Sequence, residues 1–384
     1  MSLFLVISAK DTPMTTTGHS LLHEDAHLRA SLEQGYTLPA SWYLDPAIFA
    51  RELSHIFRRT WQYAGLTEQV TQPGDFFTCT VDNVPLLITR NEAGDLQAFV
   101  NVCRHRGSEL ILQEWGKCSA FQCHYHAWTY NLDGTLRAAP GMKYEEGFDP
   151  GQFSLHRVQV ETWGPFIFTT LAQDAPPLKH MLGELPDLLL ATGVHLTGLK
   201  RRVRQVYEIA ANWKVVIDNY LECYHCPVAH PGFSALIDTK TYAINEYEYF
   251  STQGGPQKTQ AQSERAPQFN THGIVTDGFF AYLWPNFTLN LYPGPGNLSL
   301  NLFLPRAVDK TLAIFDYLFA DAVSQNDQEQ FSQFIDQVQR EDIALCESVQ
   351  RGLNSGYIVQ GKLMLHQEKA LRHFQRLVYH SLVE

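Results

Sequence analysis

No stretch of the 384-residue sequence approaches the roughly 18–20 consecutive apolar residues that a membrane-spanning helix needs, so no membrane partner is expected. Residues 1–8 are apolar, but the run is short and lacks a basic flank, which argues against a secretory signal. Basic residues are in deficit. Lys and Arg number 29 against 40 Asp and Glu, leaving a net charge of −11, and no basic cluster is dense enough to track phosphates. Nucleic acid and anionic membranes are therefore excluded as expected partners. The acidic residues are scattered and form no tail, the pattern of a solvated surface. Cysteine is scarce and irregularly spaced: Cys79, Cys103, Cys118, Cys123, Cys223, Cys226 and Cys346. Their odd number suggests no disulfide framework and fits a reducing cytoplasm. Repeats and low-complexity linkers are absent. What remains is an ordinary globular composition, 45% hydrophobic and 18% charged, long enough for two domains.

Residues 1–35, with Thr15, Thr16 and Thr17, are expected to form a poorly ordered leader, and residues 36–60 a helical segment belonging to the second domain. Residues 61–172 read as an all-β module. Apolar runs at 76–81, 84–90 and 96–102 are separated by short turns, and Asp133-Gly134 marks a hairpin within 130–136. Residues 173–384 change character. Helices are expected at 178–190, 213–226 and 325–352, and a strand at 203–210. The last helix is read from the recurrence of Phe331, Ile335, Val338, Ile343, Leu345 and Val349. Alternation across 282–292, then Leu298, Leu300, Leu302 and Leu304 against Asn297, Ser299, Asn301 and Phe303, predicts a hairpin in a sheet with one face buried. The expected class is α+β, with an antiparallel sheet against long helices.

Two signatures carry chemistry. The first is Cys103-Arg104-His105 and, 17 residues on, Cys123-His124-Tyr125-His126. A Cys₂His₂ zinc site usually puts both cysteines in one half and both histidines in the other. Here each half offers one of each from a β-loop, the mixture a Rieske-type [2Fe–2S] cluster requires, with two thiolates on one iron and two imidazoles on the other. The C-x₂-H offset favours His126 as ligand over His124, and Cys118 in the spacer reads as a small buried thiol.

The second signature is Glu222, His225 and His230. On a helix, Glu222 and His225 would share a face, whereas His230 would point about 140° away from His225. Pro227 is expected to end or kink the helix and swing His230 back. Two histidines with one carboxylate, leaving coordination positions open, make the non-haem Fe(II) oxygenase set. Spacing alone does not choose the carboxylate among Asp336, Glu341, Asp342 and Glu347.

With these residues in view, the chain from about Tyr43 onward resembles the α subunits of Rieske non-haem iron oxygenases, the ring-hydroxylating oxygenases. Cys103 to Gly107, Cys123 to Trp128 and Asn212-Trp213-Lys214 look like the family's cluster loops and its ligand-helix start. The resemblance implies a helix-grip (START-like) catalytic domain, a [2Fe–2S] cluster on Cys103, His105, Cys123 and His126, and a mononuclear Fe(II) on His225, His230 and a downstream aspartate. That aspartate lies five residues before a glutamate in the family, which implies Asp342 before Glu347, with Glu341 the alternative. It also implies a homotrimer in which Glu222 carries electrons between a cluster histidine of one subunit and His225 of the next.

Most ring-hydroxylating members have aspartate where this chain has Glu222. The stretch from Tyr220 to Pro227 resembles instead the subgroup acting on small quaternary ammonium compounds, such as glycine betaine, carnitine and proline betaine. The implied reaction is hydroxylation or N-demethylation with O₂ and NAD(P)H-derived electrons, delivered by a separate flavin and iron–sulfur reductase or ferredoxin. Tyr282, Trp284 and Tyr292 share a region that could face a cationic substrate, each contact contributing about 0.5–2 kcal/mol, although ordinary sheet packing is the simpler account of each. Aromatic-ring oxygenation is the competing activity, and a pure Rieske electron carrier the more distant one.

Overall fold

The computed structural model describes residues 21–258 and 267–383. The chain has the expected α+β architecture. A helix at Leu21–Glu33 falls within the stretch expected to lack order, while Thr15, Thr16 and Thr17 lie outside the described residues. The helical turns Ala40–Leu44, Pro46–Glu52 and Leu53–Phe57 pack into the core of the second half, where Phe57 meets Trp213 edge-on at 5.0 Å.

The first half is built from short antiparallel sheets. One orders its strands Leu96–Val100, Val84–Arg90, Asp75–Val81 and Trp115–Lys117; a second joins Phe121–Gln122, Thr129–Tyr130 and Leu136–Ala138. The turn at Gly134 needs glycine twice over. Its φ is +83°, and a Cβ there would lie 2.4 Å from the Phe99 ring. A third sheet, Gln62–Leu66, Phe166–Thr170 and Gln159–Trp163, carries the apolar face that rests on the second half. There Tyr63 stacks on Phe287 at 4.5 Å, and Phe166 and Phe168 join Leu289, Leu300 and Leu318 in one core.

The second half is a seven-stranded antiparallel sheet in the order Leu199–Ile209, Lys310–Ala320, Asn297–Ala307, Phe287–Leu291, Asp277–Leu283, Phe250–Pro256 and Ala243–Glu246. The helices Trp213–Tyr220, Gln325–Asn354 and Lys369–Val383 pack on one face with Phe280, Tyr282, Phe315 and Tyr317, while the other face holds Leu289, Leu298 and Leu300 against the first half.

Four local expectations need correction. The run 282–292 is two strands, because Trp284-Pro285-Asn286 turns the chain between Asp277–Leu283 and Phe287–Leu291. The helix at 178–190 breaks into Leu178–Leu182 and Leu185–Ala191 at Gly183, whose φ is +49°. The alternating hairpin has no wet face: Thr288, Asn290, Ser299 and Asn301 are buried on the helix side of the sheet. Finally, the inward stripe of Gln325–Asn354 runs Phe331, Ile335, Gln339, Cys346 and Gln350, leaving Leu345 and Val349 at the surface. Of its polar members, Gln339 faces a cavity, and Gln350 accepts the Asn212 N–H at 2.8 Å.

Candidate metal centres and the cavity between helices and sheet

The two cysteine–histidine loops share a construction. In each, the residue four after the cysteine adopts a left-handed conformation, Gly107 at φ +75° and Ala127 at φ +59°. Its N–H closes the loop on the cysteine carbonyl, at 3.1 Å in the first and 3.0 Å in the second. Both thiols are 2% exposed. Tyr130 Oη lies 3.3 Å from Cys103 Sγ and accepts the Arg104 N–H at 2.9 Å. Burial pushes the Cys103 thiol up, although the Tyr130 hydroxyl opposes the shift, so a cation would be needed to hold that sulfur as a thiolate.

His105 stacks on Trp128 at 4.8 Å and meets His126 edge-on at 4.7 Å. The His105 Nδ1 is buried with no hydrogen-bond partner, as expected of an atom reserved for a metal. A single zinc ion would draw all four ligand atoms together. Among the described residues, the one set of three such groups within 4.8 Å of one another lies elsewhere in the chain. Two separate pairs fit a two-iron cluster better. His124 is exposed, and Cys118 is only half-buried.

That compact set is His225, His230 and Asp342. Asn212 starts the segment leading to it. Its Oδ1 caps the helix Trp213–Tyr220 by accepting the Lys214 N–H at 2.9 Å, and its Nδ2 donates to the carbonyls of Tyr43 and Val308. Trp213 Nε1 donates to Glu52 at 2.7 Å, and Lys214 pairs with the same carboxylate at 2.5 Å, both side chains of that pair being fully buried.

The expected helix over 213–226 stops at Tyr220, so Glu222 and His225 meet around a turn and not along a helical face. The Glu222 carboxylate accepts the backbone N–H groups of Tyr224 and His225 and pairs with His225 Nδ1. Pro227 opens the four-residue helix Cys226–Ala229 instead of breaking a longer one, and His230 ends it. Cys223 and Cys226 are joined by a disulfide across the turn. This is one local bridge where the cysteine pattern suggested none; the two Cα atoms, three residues apart, lie 5.0 Å from each other.

His225 Nε2 and His230 Nε2 are 3.0 Å apart, and Asp342 Oδ1 lies 2.9 Å from His230 Nε2 and 3.5 Å from His225 Nε2. Three acceptor atoms face one another, an arrangement that calls for a cation between them. Burial disfavours charge on His225, yet the carboxylates of Asp342 and Glu222 outweigh it and push its pKa to about 10. The field of the site favours positive charge. The other carboxylates are engaged elsewhere. Glu341 holds His230 Nδ1 at 2.8 Å, Asp336 accepts from Tyr207 and Arg340, and Glu347 accepts the Ala210 N–H.

A cavity of about 90 Å³ adjoins these groups, between helices and sheet. Its walls are Tyr220, Phe233, Tyr242, Phe280, Tyr292 and Phe315, with the amides of Asn219, Gln253, Asn290, Asn301 and Gln339, and no lysine or arginine among the described residues lines it. Of the three aromatic residues singled out from sequence, Tyr292 lines the cavity. Tyr282 donates to the Pro285 carbonyl and Trp284 packs on Phe374, so both belong to the core. Gln253, Tyr242 and Phe280 escaped the sequence reading, because residues on separate strands and loops carry no shared spacing.

Residues 60–159 match the Rieske [2Fe–2S] domain, and residues 196–382 match the ring-hydroxylating α subunit catalytic domain. Choline monooxygenase of Arabidopsis thaliana is 35% identical over 367 residues, spanning 91% of this chain and 84% of that protein. The carnitine monooxygenase oxygenase subunit of Acinetobacter pittii is 33% identical, spanning 91% and 95%. The crystal structure of the quaternary ammonium Rieske monooxygenase CntA with L-carnitine aligns at a TM-score of 0.80 and 31% identity, over 92% of this chain and 97% of that one. Naphthalene 1,2-dioxygenase of Rhodococcus sp., at 18% identity and a TM-score of 0.80, shares the fold. The chain therefore belongs to the α subunits of Rieske non-haem iron oxygenases, which carry a [2Fe–2S] cluster and a mononuclear iron and draw their electrons from a reductase.

Proposed function

We propose that this chain is the terminal oxygenase for a small quaternary ammonium compound, hydroxylating a carbon next to nitrogen with O₂ and NAD(P)H-derived electrons. The observation that carries the reading is the cavity: aromatic faces and neutral amides beside the candidate iron ligands, with no lysine or arginine among its described lining residues to repel a cation. The relatives that act on choline and carnitine support it. One amide adds detail. Gln253 Nε2 donates to the Tyr220 carbonyl at 2.5 Å, which fixes the orientation of the amide. Its Oε1 is then a buried acceptor without a donor. A substrate hydroxyl would satisfy it, which favours choline and carnitine over glycine betaine and proline betaine.

In this reading Cys103, His105, Cys123 and His126 hold the cluster, and His225, His230 and Asp342 hold the iron. Bound there, the iron would supply the open coordination positions at which O₂ is reduced beside the substrate. The chain's own groups orient it. Glu222 on His225 Nδ1 and Glu341 on His230 Nδ1 select the tautomers that leave both Nε2 atoms free as ligands. Where the hydroxylated carbon is an N-methyl group, the product collapses and releases formaldehyde.

Glu222 and His225 also border an apolar cavity of about 370 Å³ on the outer side, lined by Leu345, Val349, Ile358 and Val359. Val349 and Val359 are 51% and 72% exposed, and Tyr125 beside His126 is 53% exposed. These surfaces support a head-to-tail homotrimer in which the cluster tip of one subunit, at His105 or His126, docks by Glu222 of the next. No helix among the described residues is long and apolar enough to cross a membrane, and a cytoplasmic location completes the proposal. Iron-loaded protein with a suitable reductase should consume O₂ with choline or carnitine; formaldehyde appears if the attacked carbon is an N-methyl. Turnover of aromatic hydrocarbons, with every quaternary ammonium compound left untouched, would overturn it.

A further inference from the structure

On the sheet face opposite the iron ligands, where the Rieske half rests on the catalytic half, lies a cleft of about 590 Å³. Four arginines line it, Arg201, Arg202, Arg204 and Arg306, against two carboxylates, Glu114 and Asp316. That surplus of positive charge stands out in a chain of net charge −11. Asp316 is 2% exposed and fully engaged, since Arg204 grips its two oxygens at 2.7 Å each. Arg202 turns outward to Asp321 at 2.8 Å. Arg201 shares the Asp316 carboxylate only at a longer distance. Its Nη1 stands 3.6 Å from Asp316 Oδ2, beyond hydrogen-bonding distance, and is buried without an acceptor. Arg306, at the exposed rim, pairs with no carboxylate among the described residues.

A second observation comes from the other side of the cleft. Tyr63, on the strand Gln62–Leu66, is 7% exposed, and its hydroxyl has no hydrogen-bond partner. Burial and the nearby Asp316 keep that hydroxyl protonated, with Arg204 and Arg201 within electrostatic reach. The cleft thus holds a buried guanidinium N–H without an acceptor and a buried hydroxyl free to donate, beside the Arg306 charge that no carboxylate among the described residues pairs with. Water would satisfy the donors but not the charge.

We propose that this cleft binds a small oxyanion of the phosphate or carboxylate kind, held by Arg201 and Arg306 with Tyr63 donating to it. Such an ion touches both halves of the chain, Tyr63 from the Rieske side and the arginines from the strands Leu199–Ile209 and Asn297–Ala307. It would brace the angle between them, and that angle sets where the cluster tip points. The inference is independent of the substrate reading.

Full-length, iron-loaded protein would be titrated calorimetrically with inorganic phosphate, and separately with succinate, at an ionic strength held constant with sodium chloride. Saturable binding of one ion per chain is expected. Both ions binding marks a general oxyanion site and one alone identifies the kind; either result supports the proposal. Tyr63→Phe, which keeps the stacking on Phe287, and Arg306→Ala at the exposed rim should each weaken binding, the buried hydroxyl by about tenfold. Heats indistinguishable from a chloride control, or binding that both variants leave intact, would overturn it.

Discussion

Asp342 is one of several acids on its helix, and contact alone sets it apart. It faces both imidazoles, whereas Glu341 reaches the far nitrogen of one. Asp342→Ala should lower mononuclear iron by at least about tenfold, since losing even an outer partner of a ligand costs that much. The red-brown cluster spectrum should persist. Metal analysis beside the visible spectrum checks this, and unchanged iron content returns the ligand role to Glu341. Asp218, one turn before Glu222, makes a different prediction. Burial pushes its carboxyl up from 3.8 to about 7, against the hydrogen bonds from Tyr43 and Gln375. Because the folded-state value lies above the unfolded one, its contribution to stability is complete at low pH and is lost as pH climbs through 7. Urea unfolding should show stability falling between about pH 4 and 7 and levelling off above, and Asp218→Asn should flatten that slope. An equal slope in the variant would show that other groups carry it.

At the level of elements, the paired cluster loops depend on one backbone conformation each. The first uses glycine for it and the second uses Ala127 at φ +59°. An L-residue held there costs roughly 1–2 kcal/mol, so Ala127→Gly should raise the thermal midpoint. Ala127→Val adds a branched side chain at the same angle and should deplete the cluster, read as lost visible absorbance per chain. A midpoint unmoved by glycine would mean that the surrounding contacts already compensate. The capped helix Trp213–Tyr220 and the long helix Gln325–Asn354 do the corresponding work for the candidate iron ligands. They bring residues about 110 positions apart within 3 Å, as His230 and Asp342 are.

At the scale of the whole molecule, the trimer proposal separates the two centres of one chain and joins centres of different chains. A Cys103→Ser subunit without a cluster and an Asp342→Ala subunit without iron would each be inactive alone. Co-assembled, they should regain turnover, because some junctions pair an intact cluster with an intact iron site. Activity would be measured as O₂ uptake after co-expression. Mixed assemblies that remain inactive would put the electron path within one chain.

The candidate cluster loops were legible from sequence because the cysteine and histidine of each lie two or three residues apart, so covalent spacing alone brings each pair together. The nearness of Glu222 to His225 was legible for the same reason, although the chain achieves it with a turn and not a helix. Strand period was legible too, but not its meaning. Alternation says that two faces of a sheet differ and is silent on which one is wet. Thus Asn290 and Asn301, spaced like solvent-facing residues, line a buried cavity, while Leu345 and Val349, spaced like core, sit at the surface. The sequence by itself determined the chemistry: which atoms could hold iron, and that two kinds of centre were present. Only the tertiary structure decided which carboxylate faces the histidines, which aromatic rings and which orphaned amide oxygen line the cavity beside them, and where surplus arginines meet a buried tyrosine. Those depend on strands and helices far apart in the chain packing together, and no local spacing records that packing.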